Sequence, residues 1–519
     1  MKTLQPLTAG QADTIAGAYK RLETEREPYL CRYREAATLT IPWLQVEEGH
    51  NSTDAMHVPF QSMGARGIRN LASKLMLALL PPGLPFFRLD VPPLVLEQYL
   101  EGIGADPQAA DEVLTKLDEQ LRKIEDAVSS QTETGTIRSK TFAALLEVLA
   151  GGTTVYHLRE DYTVRVYNLQ EFVCQRDASG HLLRTITCEK VDRSVLPEEL
   201  HSLLEKDEES TELYTDIRRI DADNFEIRQE ICGQVIDLPE VHSGKYKADE
   251  LPWIVLRYSS IDGESYGRSM IEEVIGDLAS LEGLSQSFLE MAAAAARTVP
   301  MVDPTGVTRL TDVSNAPNLK WVQGRAQDVS AFTIDKRADL AAVRQEMIDL
   351  QESLKSAFLM TASIQRNAER VTAEEIRTLS QELESTLGGV YSILAEEFQL
   401  PLVRRIMSQM DIDLPSELLT LRITTGVEGV GRGRDAQALI GFGQALGALY
   451  GPEAIGKILP LRDAAGRLAN AFGVDTTGFN TEEEIQQAEQ AAAQAQTLAA
   501  VGPDIAKTAL NNAQQGNQG

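Results

Sequence analysis

Cysteine is scarce in this chain of 519 residues. Only Cys31, Cys174, Cys188 and Cys232 are present, scattered and without a C-x-x-C pair. That excludes a disulfide framework and a zinc site of the usual spacing, and points to a reducing compartment. Histidine is nearly as rare, and all six lie at or before His242. Long apolar runs are missing too. The most apolar stretch, Leu71 to Phe87, is broken by Lys74, Pro81, Pro82 and Pro85, too soon to span a bilayer. Met1 to Gly10 carries no apolar h-region, so no secretory signal is expected. Basic residues are outnumbered, 49 Lys and Arg against 77 Asp and Glu, for a formal charge of −28. Coating nucleic acid runs on cations neutralising phosphates, so this balance argues against a coat. It does not exclude a protein that lets DNA pass.

What is present is a globular composition, 43% hydrophobic and 24% charged. At roughly 100–200 residues per domain, two to four structural units are expected. The first 150 residues read mainly as helix: Gln11 to Ile41, Gln61 to Leu80 stopped by Pro81-Pro82, Asp111 to Val128, and Thr141 to Leu149. From Gly151 the period changes to two. Strands are predicted at Thr153–Arg159, Tyr162–Asn168, Phe172–Asp177, Leu182–Val191, Asn224–Ile231 and Pro252–Ser259, with a hairpin turn at Asp177 to Gly180. The fold class is therefore α+β, mainly helical. The segment Asp192 to Glu250 is very acidic, with 17 acids against 7 bases.

Two seams of 3–4 spacing follow. Ile271, Val274, Leu278, Leu281, Phe288 and Ala292 make the first, interrupted at Ser285; Leu340, Val343, Met347, Leu350, Leu354 and Phe358 make the second. Such spacing predicts long helices packed side by side. Between them, Val299 to Lys336 holds Pro300, Pro304, Gly306, Pro317 and Gly324 with short β-like runs at Leu319–Gln323 and Val329–Ile334. An ordinary helical hairpin with a long connection fits these residues as well. Leu359 to Val371 is a polar loop. Thr372-x-x-Glu375 is a capping box opening a third helix with Ile376, Leu379, Leu383, Leu387, Leu394 and Phe398 on its apolar face, to be kinked or ended by Pro401. Leu439 to Phe472 is helical in pattern, and Thr481 to Gly519 is a Gln/Ala/Asn-biased tail, either a lone helix or disordered.

Three motifs invite an enzyme and fail. Gly263-Glu-Ser265-Tyr-Gly267 matches the nucleophile elbow of α/β-hydrolases, in which the histidine that takes the serine proton follows the serine in the chain, and none follows Ser265. Gly451 to Lys457 resembles a phosphate loop, yet Ile458 stands where Ser or Thr must hold Mg²⁺. Gly431-x-Gly433-x-x-Ala436 nearly matches a dinucleotide fingerprint, but no βαβ context surrounds it. No metal-ligand spacing is present. No catalytic residue, cofactor or metal is expected.

Local charge reversals carry more. Lys355, Arg366 and Arg370 face only Glu369 between residues 355 and 372, and Ala55 to Leu89 holds Arg66, Arg69, Lys74 and Arg88 with no acid. Such islands suit phosphate contact at a defined place, and equally suit exposed loop cations and snorkelling helix bases.

The segments Gly64-Ala-Arg-Gly-Ile-Arg-Asn-Leu-Ala-Ser-Lys-Leu-Met-Leu-Ala-Leu, Asp262-Gly-Glu-Ser-Tyr-Gly-Arg-Ser, Arg370-Val-Thr-Ala-Glu-Glu-Ile-Arg, Glu384-Ser-Thr-Leu-Gly-Gly-Val-Tyr-Ser-Ile-Leu and Gln399-Leu-Pro-Leu-Val-Arg resemble, in order, the head-to-tail connector (portal) proteins of short-tailed, autographivirus-like bacteriophages. The likeness runs from about residue 11 to residue 480. It implies the phage portal fold, assembled as a ring of usually twelve subunits at one capsid vertex. The boundaries it implies are a wing at 1–265, stem helix 1 at 266–298, a clip at 299–336, stem helix 2 at 337–358 and a tunnel loop at 359–371. A long kinked helix at 372–412, a helical crown at 413–480 and the low-complexity tail at 481–519 follow.

The resemblance further implies a channel for packaging and ejecting double-stranded DNA. Lys355, Arg366 and Arg370 then face DNA around the tunnel loop, and Arg309, Lys320, Trp321 and Arg325 lie in the clip that docks the terminase and then a tail adaptor protein. Major capsid and scaffolding proteins are further implied partners, and a membrane is not. The implied location is the portal vertex of the virion, and the host cytoplasm during assembly. Two other readings compete: a helical assembly scaffold without DNA contact, and a hydrolase using Ser265.

Overall fold

The computed structural model describes residues 14–46, 55–82, 85–92, 107–133, 136–203, 209–236, 244–295, 299–315, 317, 321–332, 337–360, 383, 386–412, 420–423, 440–445 and 448. The chain divides into two compact units, Met1–Gly429 and Val430–Gly519. In the second unit, the described residues 440–445 are helical.

The helices of the first unit are α1 (Ile15–Leu39), α2 (Met63–Leu79), α3 (Pro107–Glu133), α4 (Ile137–Gly151), α5 (Met270–Ala295), α6 (Leu310–Ser314), α7 (Arg337–Ala357), α8 (Gly389–Leu394) and α9 (Leu400–Gln409). The strands are β1 (Phe87–Asp90), β2 (Thr153–Leu158), β3 (Val164–Tyr167), β4 (Phe172–Arg176), β5 (Leu182–Asp192), β6 (Ser210–Arg219), β7 (Asn224–Ile231), β8 (Gln234–Ile236), β9 (Gly244–Lys247), β10 (Trp253–Arg257), β11 (Val299–Val302), β12 (Val329–Phe332) and β13 (Thr420–Ile423).

Local chemistry explains the boundaries. Thr14 caps α1, its hydroxyl accepting the Gly17 N–H at 3.1 Å. The buried Glu230 carboxylate accepts the Ile15 and Ala16 N–H groups at 2.6 and 3.2 Å, so a sheet residue completes that helix end. At the end of α4 the chain turns through Gly152 at φ +81°, where an added Cβ would sit 2.3 Å from the Gly267 carbonyl oxygen. Only glycine permits both the left-handed turn and that approach.

The antiparallel sheet β4-β5-β6-β7-β8, with β9 also beside β7, packs Val173, Ile186 and Tyr214 against α1. A three-strand sheet, β10-β2-β3, lies against α4 and the buried Phe398. The main core joins α1, α2, α4, this smaller sheet, the start of α5, the end of α7 and α9. At roughly 25 cal/mol per Å² of apolar surface removed from water, burial of this kind dominates folding.

Several expectations are corrected. Ser285 does not interrupt the first seam: it is buried and continues it, because a small hydroxyl fits between closely packed helices. The described part of Leu319–Gln323 is not a strand; β12 pairs instead with β11, Val299 opposite Phe332. Pro401 does not end its helix. It sits in the first turn of α9, after a π-helical turn at Ala395–Gln399 in which the Leu400 N–H bonds the Ala395 carbonyl five residues back. The widened turn absorbs the donor that proline lacks. Four further strands are not announced by the sequence: β6, which is central in its sheet, and β8, β9 and β11. β1 went unread as well. It pairs with β13, so residues far apart in the chain meet at Leu89 and Leu421. The capping box at Thr372, the phosphate-like loop at Gly451 and the glycine motif at Gly431 lie outside the described residues.

Candidate functional site

The serine elbow is a structural turn. Ser265 Oγ accepts the Arg176 N–H at 3.3 Å, Tyr266 OH accepts the Cys174 N–H at 3.0 Å, and the Cys174 thiol donates to the Ser265 carbonyl at 3.2 Å. These bonds fasten the turn to β4. Burial pushes the Cys174 thiol up to about 12, so it is no nucleophile either. Ser265→Ala is expected to leave assembly unchanged, with no esterase activity before or after the change. Hydrolysis of a nitrophenyl ester that disappears with the hydroxyl would contradict this.

The two long helices form an antiparallel hairpin. Ser269 and Glu272 cap α5 reciprocally, with 3.1 Å from the Glu272 N–H to Ser269 Oγ and 3.2 Å from the Ser269 N–H to Glu272 Oε1. Arg268 bonds Glu264 and Glu272, and Arg32 of α1 reaches Glu272 at 3.2 Å, tying the helix base to the α1 layer. The guanidinium beside Glu264 holds its carboxyl below the usual range. Along the hairpin, Leu278, Leu281 and Ser285 of α5 are buried, while Ser353 of α7 lies 3.3 Å from Asp277, which sets the register. Glu282 accepts the backbone N–H groups of Phe60 and Gln61 at 2.8 and 3.2 Å, holding an extended segment beside α5.

Between the helices the chain makes a small knot around Asp328. Its carboxylate accepts from the Val307 N–H (2.9 Å), the Thr308 N–H (3.1 Å) and Thr308 Oγ1 (2.9 Å), and Thr308 Oγ1 accepts the Arg325 N–H at 2.9 Å. Gly306 and Gly324 allow this closeness; Cβ atoms there would lie 2.5 and 2.4 Å from Asp328 and Thr308. The knot rigidifies a surface that is unusually apolar. Trp321 is 97% exposed, and Val307, Leu310, Met301 and Val322 are exposed too. Arg309 and Arg325 are exposed on the same excursion; Lys320 lies outside the described residues.

At the far end of α7, Phe358 is fully buried on α2, directly over Gly67, where a Cβ would sit 2.4 Å from the ring. Asn70 donates to the Phe358 and Leu359 carbonyls at 3.1 and 3.3 Å, and Leu359 turns at φ +51°. The start of the predicted loop is thereby pinned to α2. Lys355 in the last turn of α7 pairs with Glu352 at 2.6 Å and lines a cleft of about 490 Å³ with Phe60, Met63, Arg66, Phe288 and Met347. Arg366 and Arg370 lie outside the described residues. The basic island of α2 is not one surface: Arg66 is exposed, Arg69 lies 5.3 Å over the Trp43 ring, and Lys74 is buried.

The π turn carries a charge cluster that sequence reading missed. Glu397 accepts from the Arg257 backbone N–H (3.0 Å) and guanidinium Nε (2.9 Å) and pairs with Arg257 Nη2, while Arg176 lies 3.5 Å away. Arg176 also donates to the Gly180 and Val255 carbonyls at 2.9 and 3.0 Å. Burial lowers the Arg176 pKa and Glu397 partly offsets it. On the other face Gln399 donates to the Leu79 carbonyl at 2.6 Å, closing the end of α2. No periodicity could announce partners 140 residues apart.

Comparison with known proteins adds the following. The family model for the bacteriophage head to tail connecting protein matches residues 12–479. The portal protein of Escherichia phage T7 is 36% identical over 502 residues, covering 92% of this chain and 90% of that protein. The portal protein of Enterobacteria phage T3 is 34% identical over 496 residues, with the same coverage, and that of Pseudomonas phage phiKMV is 28% identical over 484 residues, covering 89% of this chain and 93% of that protein. Among solved structures, a chain from the neck of an empty gene transfer agent (GTA) particle aligns at a TM-score of 0.38 and 11% identity, over 76% of this chain and 89% of that one.

Proposed function

This chain belongs to the bacteriophage head-to-tail connecting (portal) proteins, structural proteins of the virion and not enzymes, and from that premise we propose that it assembles into a ring through which double-stranded DNA is packaged and ejected. The observation that carries this reading is the antiparallel hairpin of α5 and α7 with a knotted, apolar-surfaced excursion at one end and a loop pinned to α2 at the other. Copies of such a hairpin side by side make a wall.

In this reading α5 and α7 are the stem, 299–336 the clip, and 359–371 the tunnel loop. The sheet region and α1 to α4 form the wing, and residues 413–480 the crown. The exposed Trp321, Arg309 and Arg325, with Lys320, dock first the terminase and later a tail adaptor. Assembly takes place in the host cytoplasm with scaffolding and major capsid proteins, and the ring ends at the portal vertex. The overall negative charge then surrounds the path of a polyanion, which favours passage over capture. Arg366 and Arg370, repeated around a ring, supply a narrow girdle of cations.

Negative-stain imaging of the purified protein tests the assembly: a ring with a central hole is expected, and a monomer would overturn the reading. The double change Arg366→Ala with Arg370→Ala is expected to spare the ring and alter DNA packaging or retention. Unchanged packaging and retention would remove both residues from the DNA path.

A further inference from the structure

The hairpin exposes apolar groups on two different sides at the same height. Ser353 opposite Asp277 sets the register of α7 on α5. Five residues along each antiparallel helix, Ile348 is level with Glu282, and one residue further Met347 is level with Gly283. Ile348 is 41% exposed, and at five residues from Ser353, which bonds Asp277 of α5, it lies about 140° around α7 at 3.6 residues per turn. Gly283, next to Glu282, is exposed, with nothing within 4 Å of an added Cβ, and at 3.6 residues per turn it lies about 140–160° around α5 from the buried Leu278, Leu281 and Ser285. A glycine inside a helix costs about 1 kcal/mol relative to alanine, and among the described residues nothing uses the space it leaves. At this height too, Glu282 holds the extended segment whose Val58 and Phe60 are 78% and 49% exposed.

We propose that in the ring Ile348 of one copy seats against Gly283 of the next, with Val58 and Phe60 of that next copy closing over it. The inference rests on the ring reading above. Rotation about a ring axis moves a subunit without shifting it along the axis, so in a stem that follows the axis, groups at one height in one copy meet groups at that height in its neighbour. A head-to-tail contact also requires two different, complementary patches on the same chain, which these are. Charge agrees with the apolar match. Arg344, one turn from Ile348, is level with Gln286, and Glu290 lies four residues, about 6 Å, further along α5. Both are exposed, and no ion pair of Arg344 is found among the described residues. Arg344 of one copy therefore lies within reach of Glu290 of the next.

The test is a cysteine pair. Gly283→Cys with Ile348→Cys, oxidised and run without reductant, is expected to give a ladder of covalent oligomers reaching the closed ring. Each single substitution should give none, which also controls for the exposed Cys31 and Cys232. Within one copy the two positions point away from each other and cannot bridge. Rings by negative stain without a ladder would overturn the contact and leave the ring reading standing. Monomers by negative stain in the unsubstituted protein would overturn both.

Discussion

Glu397→Ala is expected to cost about 3–5 kcal/mol, the range for removing one partner of a buried ion pair. The change leaves the Arg257 and Arg176 guanidiniums side by side, with only 7% and 5% of their side chains exposed and no carboxylate between them. It also strands the Arg257 backbone N–H that Glu397 accepts. The loss should appear as a lower thermal midpoint. Glu397→Gln, which keeps an acceptor and loses the charge, is expected to fall between wild type and alanine. A midpoint equal to wild type for Glu397→Ala would show that water reaches the pair and screens it. Because the clamp joins the helix behind the proposed tunnel loop to the β4 and β10 strands, the same substitution is expected to impair packaging more than ring formation.

Phe358→Ala is expected to cost about 3–5 kcal/mol through the cavity it opens on α2. The ring is fully buried and the surrounding α2 backbone, closed by Gly67, has little freedom to collapse into the space. Gly67→Ala attacks the same contact from the other side, placing a methyl about 2.4 Å from the ring, and is expected to cost about 1–3 kcal/mol by overpacking. Combined, the two should cost clearly less than their sum, since the methyl occupies volume the ring has vacated. Strict additivity in chemical denaturation would mean that Phe358 and Gly67 do not press on one another. In the proposed channel, loosening Phe358 frees the segment that Asn70 anchors, so DNA retention is expected to suffer before assembly does.

Much of the layout was legible from periodicity. The predicted runs at Asn224–Ile231 and Leu182–Val191 fall on β7 and β5 almost residue for residue, because β-branched and apolar residues bounded by turn residues favour the pleated strand. The two seams fall on α5 and α7 because a helix facing another buries every third or fourth residue. The failures have physical causes of equal plainness. Strand β6 carries acids and arginines whose charges pair across the sheet, as Arg184 does with Asp216 at 2.7 Å, so its alternation is hidden. Strands β1 and β13 are four residues each and gain their pairing from each other across more than 300 positions. The serine elbow was rejected on chain order alone, and the structure supplies the positive reason, its three bonds to β4.

Sequence by itself determined that this is an acidic, mainly helical α+β chain without catalytic constellation, and which stretches become its long helices. Those properties depend on composition and on spacing within one element, which local sterics and burial translate directly. Tertiary structure alone decided where Glu397 finds two arginines, how Pro401 is accommodated by a π turn, why Gly67 must be glycine, and which heights of the hairpin carry exposed apolar groups. Each of these depends on a distance between residues far apart in the chain, and no property of a single segment contains it.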